Sequence, residues 1–218
     1  MAKEAQTMIN ELYSFFKETY TEPIKSWDNM LEFIASYHNP TLLLEKQIKP
    51  EWINRDDNFS KKIIEIYDPT ILTNNIYDDL GDYYYNNIIL KKRIDLPNVE
   101  NKISDLLSNI NDEDKNLNNL VLDKQVGTGK NLLEIAKRCP HWTYFGVDND
   151  IRHLRIAMTN FYIHNISGYL LHADPQIHDI ELITKEGRYN WKYANNWESQ
   201  IHNLKNKIKN EYINKPKI

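Results

Sequence analysis

Glycine occurs only six times in the 218 residues, and three of the six, Gly127, Gly129 and Gly146, fall within one short window. A residue without a Cβ is needed where the chain turns through positive φ or approaches another group closely. Ahead of the Gly127/Gly129 pair stands a short apolar run, Leu120-Val121-Leu122, that ends in Asp123. Behind it, Leu132, Leu133, Ile135 and Ala136 recur at helical spacing over residues 130–138. A strand that ends in a carboxylate, turns through two glycines and enters a helix can turn backbone N–H groups toward a ligand that no Cβ keeps away.

The alternation continues. Trp142 to Val147 is aromatic and β-branched and is closed by Asp148; Leu154, Ile156, Ala157, Phe161 and Ile163 mark a helix over 151–164; Tyr169-Leu170-Leu171 is a third strand, followed by His172-Ala173-Asp174. Strands alternating with helices predict an α/β fold with a parallel sheet. Asp148 lies about twenty residues past the glycines, the spacing that sets an acid at the tip of the neighbouring strand, where it can accept from both ribose hydroxyls. Asp174, at the third strand tip, would lie across an adenine edge. The expected nucleoside-cofactor site is therefore Asp123, Gln125, Gly127, Thr128, Gly129, Asp148, Asn149 and Asp174. A phosphate-binding Walker loop would need glycine at 124 and Ser or Thr at 131, where the chain has Lys124 and Asn131, and a nicotinamide loop would need a third glycine near Leu132. Plainer readings stand beside these: a simple tight turn at the glycines, helix capping by Asp148 and Asp174, and His172 and His178 as surface or core side chains with no metal-ligand spacing.

Taken together, Asp123 to Leu133 (Asp-x-x-x-Gly-x-Gly followed by Leu-Leu), Gly146-Val147-Asp148, Arg155-Ile-Ala-x-x-Asn160 and His172-Ala-Asp174 make residues 120–175 resemble the first half of a SAM-dependent methyltransferase, most like the N6-adenine DNA methyltransferases. The upstream run Asp79-Leu80-Gly81-Asp82-Tyr83-Tyr84 resembles a helical element that precedes this core in the same family. The resemblance implies S-adenosylmethionine as cofactor, with Asp123, Gly127 and Gly129 at its methionine part, Asp148 at the ribose and Asp174 at the adenine, and it implies DNA as a partner. It implies a partial Rossmann-like methyltransferase core. The departures are equally specific. Lys124 replaces the family's proline, the Asn-Pro-Pro-aromatic motif that holds the target amine is absent, and the sequence after Asp174 is too short for the strands that would complete such a sheet. Asn195, Asn196 and Trp197 could supply a substitute amide and aromatic, or could serve in capping and packing. No catalytic residue is assigned; a protein partner or a second copy could supply the missing substrate half, or the chain could be an inactive relative with a regulatory or structural role.

Residues 1–115 read as a helical N-terminal region and 116–218 as the truncated core with a C-terminal helical tail. Helices are predicted over 3–20, ended by Pro23; over 27–37, with Ser26 or Asp28 near its N-cap; around 60–67, 77–90 and 99–110; and over 198–212. Residues 111–119 are polar and aperiodic, a linker. The tyrosines at 83–85 are expected to pack rather than stack on bases. After Pro175 no strand signal remains.

Hydrophobic residues at 41% and charged residues at 27% lie in the range of ordinary soluble domains. No apolar run approaches the ~20 residues of a membrane span, and the first residues carry acids with no apolar segment behind Lys3, which predicts an intracellular, cytoplasmic protein without membrane association. Cys139 is the single cysteine, read as a small packing residue at a helix end. A net charge of −4 gives no global footprint for nucleic acid.

Overall fold

A computed structural model describes residues 2–40, 42, 51–90, 120–172 and 190–191. Seven α-helices and four strands are present among them. The helices are α1 (Ala2–Thr19), α2 (Pro23–His38), α3 (Asp57–Ile66), α4 (Pro69–Thr73), α5 (Asp79–Tyr83), α6 (Lys130–Ala136) and α7 (Ile151–Ile163). A 3-10 turn spans Glu51–Asn54, and α5 runs on as a π-helical turn over Tyr84–Ile88. The strands are β1 (Leu120–Asp123), β2 (Thr143–Asp148), β3 (Gly168–His172) and β4 (Asn190–Trp191).

The protein is thus mixed α/β, with three parallel strands in the order β1-β2-β3 and a short antiparallel β4 beside β3. The register sets Asp123 opposite Gly146 and Asp148 opposite His172, so the carboxyl ends of β1 and β2 lie side by side. Strand β2 is buried from Tyr144 to Asp148 on both faces, which is why its sequence is continuously apolar instead of alternating. Gly146 belongs to this packing: a Cβ there would come 2.7 Å from Leu170 Cδ2 and 2.8 Å from Val126 Cγ2.

Helix α7 explains how the helical region meets the sheet. Leu154, Ala157, Met158, Phe161 and Tyr162 join Leu132, Leu133, Trp142, Tyr144 and Leu170 in one buried cluster. Ile156 and Ile163, from the same helix, join Ile9, Leu12, Phe16, Trp27, Met30, Ile34 and Leu80 in another. A helix buried on two sides needs an apolar arc wider than a surface helix does, and Arg155 on α7 also pairs with Asp28 of α2 at 3.0 Å. The tyrosines pack as expected: Tyr83 stacks on the fully buried Trp27 with centroids 5.8 Å apart and planes 9° from parallel. Cys139 is buried just beyond α6 and its carbonyl accepts from Tyr144 Oη at 2.7 Å.

Several local expectations are corrected. Pro23 does not merely end α1; it occupies the first turn of α2, where its fixed φ favours the helix and its missing N–H costs nothing. The N-cap there is Glu22 rather than Ser26 or Asp28; Ser26 Oγ instead donates to the Tyr20 and Glu22 carbonyls. Helix α4, with Asp68 as its cap and Pro69 in its first turn, has no separate apolar period to announce it. The helix expected over 77–90 is shorter and changes to π geometry at Tyr84. Strand β4 lies in the stretch after Pro175 that reads as strandless, since two ladder residues carry no pattern. The helices expected over 99–110 and 198–212, the linker over 111–119, and Asp174, His178 and Asn195 to Trp197 lie outside the described residues. No helix among the described residues is long and apolar enough to cross a membrane.

Candidate functional site

Of the residues expected around the glycines, Asp123, Gln125, Gly127, Gly129 and Asp148 lie at the carboxyl ends of β1 and β2. Asp123 accepts from the Gln125 N–H at 3.0 Å, which starts the turn. Val126 N–H reaches over β2 to the Val147 carbonyl at 2.9 Å, tying the loop to the neighbouring strand. Gly127 and Gly129 then take φ of +54° and +92°, values that carry the chain into α6 and that a side chain would strain.

Asp148 is the centre of the arrangement. Its Oδ2 accepts from Gly127 N–H and its Oδ1 from Asp150 N–H, both at 2.8 Å, and only 8% of the residue is exposed. His153 Nδ1 faces Oδ1 at 3.7 Å. Burial alone would raise its pKa, but the His153 ring and the Asp150 and Gly127 amides outweigh it and hold this carboxyl below the usual aspartate value. Asp123 is driven the other way: burial raises it, the Gln125 amide and Asn131 side chain oppose, and the neighbouring Asp148 charge adds to the rise. Two carboxyls at adjacent strand tips are therefore tuned in opposite directions. One expectation changes here: the glycine amides do not stand open, because Gly127 N–H is taken by Asp148 and Gly129 N–H by the Val126 carbonyl at 2.9 Å. Among the described residues, its chain neighbours aside, none has an atom within 4 Å of where a Cβ on Gly127 would be.

Of the other expected residues, Gln125 and Asn149 are exposed at the rim, and the Asn149 carbonyl meets His172 Nε2 at 2.9 Å. Thr128 turns inward. Its Oγ1 donates to Asp78 Oδ2, and Asn160 Nδ2 donates both to Asp78 Oδ1 at 2.7 Å and to the Thr128 carbonyl at 3.1 Å. Gly81 N–H closes the set on Asp78 Oδ1 at 2.9 Å. Asp78, Thr128 and Asn160 are each 1% exposed, so a fully buried polar network joins α5 and α7 of the helical scaffold to the glycine loop. An added Cβ at Gly81 would fall 2.5 Å from both Asp78 Oδ1 and Thr128 Oγ1. The sequence does not single out Asp78 or His153, and it marks Tyr85 only as one of the packing tyrosines. The available signal was small: Asp78 directly precedes the Asp79-Leu80-Gly81 run, and Asn160 closes the Arg155-Ile-Ala-x-x-Asn motif.

Asp79, beside the hub, lines a cleft of about 300 Å³ with Glu4, Ala5, Ile71, Asn74, Asn75 and Tyr77. It is 7% exposed, and among the described residues its Oδ1 has no hydrogen-bond partner. Burial, with the Asp82 and Asp78 charges adding and the Gln6 amide opposing, pushes its pKa up to about 6. The folded state then holds this proton more tightly than the unfolded chain, so its contribution is most favourable below pH ~4 and is lost as pH rises through ~4 to ~6. Asp79→Asn is accordingly expected to stabilise the protein by about 2 kcal/mol at pH 8 and by nothing at pH 4, as read from denaturant melts at the two pH values.

Among known protein families, curated proteins and solved structures, none matches this chain.

Proposed function

We propose that the chain binds S-adenosylmethionine at the β1 and β2 tips and belongs to the methyltransferase type, related to the DNA N6-adenine methylases, with a partial Rossmann-like core. The observation that carries this is the Asp148 carboxylate, held ionised at a strand tip against the positive-φ Gly127 turn, with Asp123 at the adjacent tip and none of the described residues beyond its chain neighbours crowding Gly127. Each carboxylate oxygen has two lone pairs, so after accepting one amide apiece Asp148 Oδ1 and Oδ2 can still accept the two hydroxyls of a ribose. Burial raises the Asp123 carboxyl, and a neighbouring ammonium would draw it back down, so a cationic group beside this strand tip is favoured.

The bound sulfonium would supply an activated methyl group. The chain's part would be to hold the nucleoside in one orientation and keep water from the reacting centre, and transfer to an amine needs no covalent enzyme intermediate. A second reading is favoured by one sequence fact, the absence of Asn-Pro-Pro-aromatic: the fold keeps its cofactor and acts as a regulatory or structural partner, with DNA contact or a second chain supplying the rest.

Calorimetric titration at neutral pH is expected to show one-site binding of S-adenosylmethionine and of its demethylated product, and none of ATP or NAD. No heat and no thermal shift at millimolar ligand would remove the proposal. Labelled-methyl transfer to DNA, alone and with a candidate partner chain, separates the enzyme from the inactive relative.

A further inference from the structure

We infer that His153, itself held by Tyr85, is the positioning residue of the Asp148 carboxylate, so that the helical region reaches into the cofactor site; this rests on the cofactor reading above. Tyr85 lies in the π-helical turn that follows α5, and His153 in the first turn of α7. The phenol meets His153 Nε2 at 2.9 Å, and Nδ1 of the same ring faces Asp148 Oδ1 at 3.7 Å. The ring is also fixed by its neighbours: Tyr84 meets it edge-on at 6.3 Å and 87°, and Tyr85 lies 5.7 Å away at 37°.

The direction of the chain of contacts follows from the acceptor at its end. Were Nδ1 bare, its lone pair would face a carboxylate oxygen across 3.7 Å, an arrangement of two acceptors with no proton between them. The carboxylate therefore selects the proton on Nδ1, which leaves Nε2 as the acceptor of the Tyr85 O–H. Tyr85 to His153 to Asp148 thus runs as donor to donor to acceptor, and at 3.7 Å the ring N–H faces Oδ1 beyond hydrogen-bond length, acting on the carboxylate through its dipole without taking the lone pair left for a ribose hydroxyl.

For ligand binding, the ring adds to the two amides that hold one carboxylate oxygen each, and so helps to keep the plane of the carboxylate when a ligand competes for its lone pairs. A vicinal diol needs both oxygens presented together, and a carboxylate free to rotate about its last bond loses that arrangement most of the time. The π-helical turn has a role in this account: it changes the helical phase where the Tyr84 and Tyr85 rings must reach α7, as single π turns at sites often do.

The test compares wild type with Tyr85→Phe, His153→Leu and His153→Gln by melting temperature, by calorimetry with S-adenosylmethionine, and by 13C NMR titration of the Asp148 carboxyl in aspartate-labelled protein. With the loss of one charge-facing contact at 3.7 Å, weaker than a hydrogen bond, as the guide, His153→Leu is expected to weaken binding about fivefold, Tyr85→Phe about twofold, and His153→Gln, which restores a donor, to stay within about twofold of wild type. Tyr85→Phe keeps the packing, so its melting temperature should be unchanged while the Asp148 titration midpoint moves upward, and further in His153→Leu. An Asp148 midpoint that stays at the wild-type value in both variants overturns the inference. Absence of binding by wild type removes the cofactor reading instead, and the carboxyl titration then decides by itself whether the relay acts.

Discussion

Asp78→Ala is expected to be the most damaging single substitution outside the apolar core. It strips the acceptor from three buried donors at once: Gly81 N–H, Thr128 Oγ1–H and Asn160 Nδ2–H. Each buried donor left without a partner costs roughly 1–3 kcal/mol, and with some relaxation a combined loss of about 4 kcal/mol follows. That is a large share of the ~5–15 kcal/mol by which folded proteins are stable, and it corresponds to a fall of roughly 10 °C in melting temperature for a chain of this size. Asp78→Asn, which keeps the shape and one acceptor oxygen, should cost much less, about 1–2 kcal/mol. Gly81→Ala should fall near the alanine variant, because its Cβ would sit where the carboxylate and the Thr128 hydroxyl already are. Circular-dichroism melts of the three variants check this; an Asp78→Ala protein within 1 °C of wild type would mean that the network is not what docks the glycine loop onto the helices.

The second large effect concerns the ligand rather than the fold. Asp148→Ala removes the two acceptor oxygens proposed for the ribose, and at ~1.5 kcal/mol or more for each hydrogen bond to a charged group, affinity for S-adenosylmethionine should fall at least ~100-fold. Gly127→Ala is the companion experiment. Nothing crowds its Cβ, so its folding penalty is only the ~1–2 kcal/mol of a side chain at positive φ, while the methyl group would stand in the space through which a nucleoside approaches. Binding should therefore suffer in Gly127→Ala more than stability does, and in Gly81→Ala stability should suffer first. Wild-type affinity in Asp148→Ala would contradict the assignment.

These effects show where the sequence was legible. The strand, turn and helix around Gly127 and Gly129, and the placing of Asp123 and Asp148 at adjacent strand tips, follow from local chemistry: apolar runs of strand length, an acid at each end, and glycine where φ is positive. Such features lie within a few residues of one another, so a linear reading reaches them. Its place between Gly127 and Gly129 makes Thr128 read as a ligand contact; in three dimensions its hydroxyl belongs to Asp78, fifty residues away in the chain. The pairing of His153 with Tyr85, separated by 68 residues, likewise has no local signal. Long-range polar partners are chosen by how α5 and α7 pack, and packing is fixed by clusters such as Trp27 on Tyr83 that no periodicity specifies. The inward turn of the glycine amides escaped for a related reason: spacing predicts that a loop exists, while the direction of each N–H depends on the dihedral angles that Asp148 helps to set.

Whether a nucleoside cofactor is held between the tips of β1 and β2 is decided by amide NMR of the 15N-labelled chain during titration with S-adenosylmethionine. Saturable shifts at Gln125 to Gly129 and at Asp148 to His153, with the Gly127 amide among the largest and all of them lost in Asp148→Ala, are the predicted result. Saturating ligand that leaves those amides in place, or shifts gathered on another face of the protein, would contradict it.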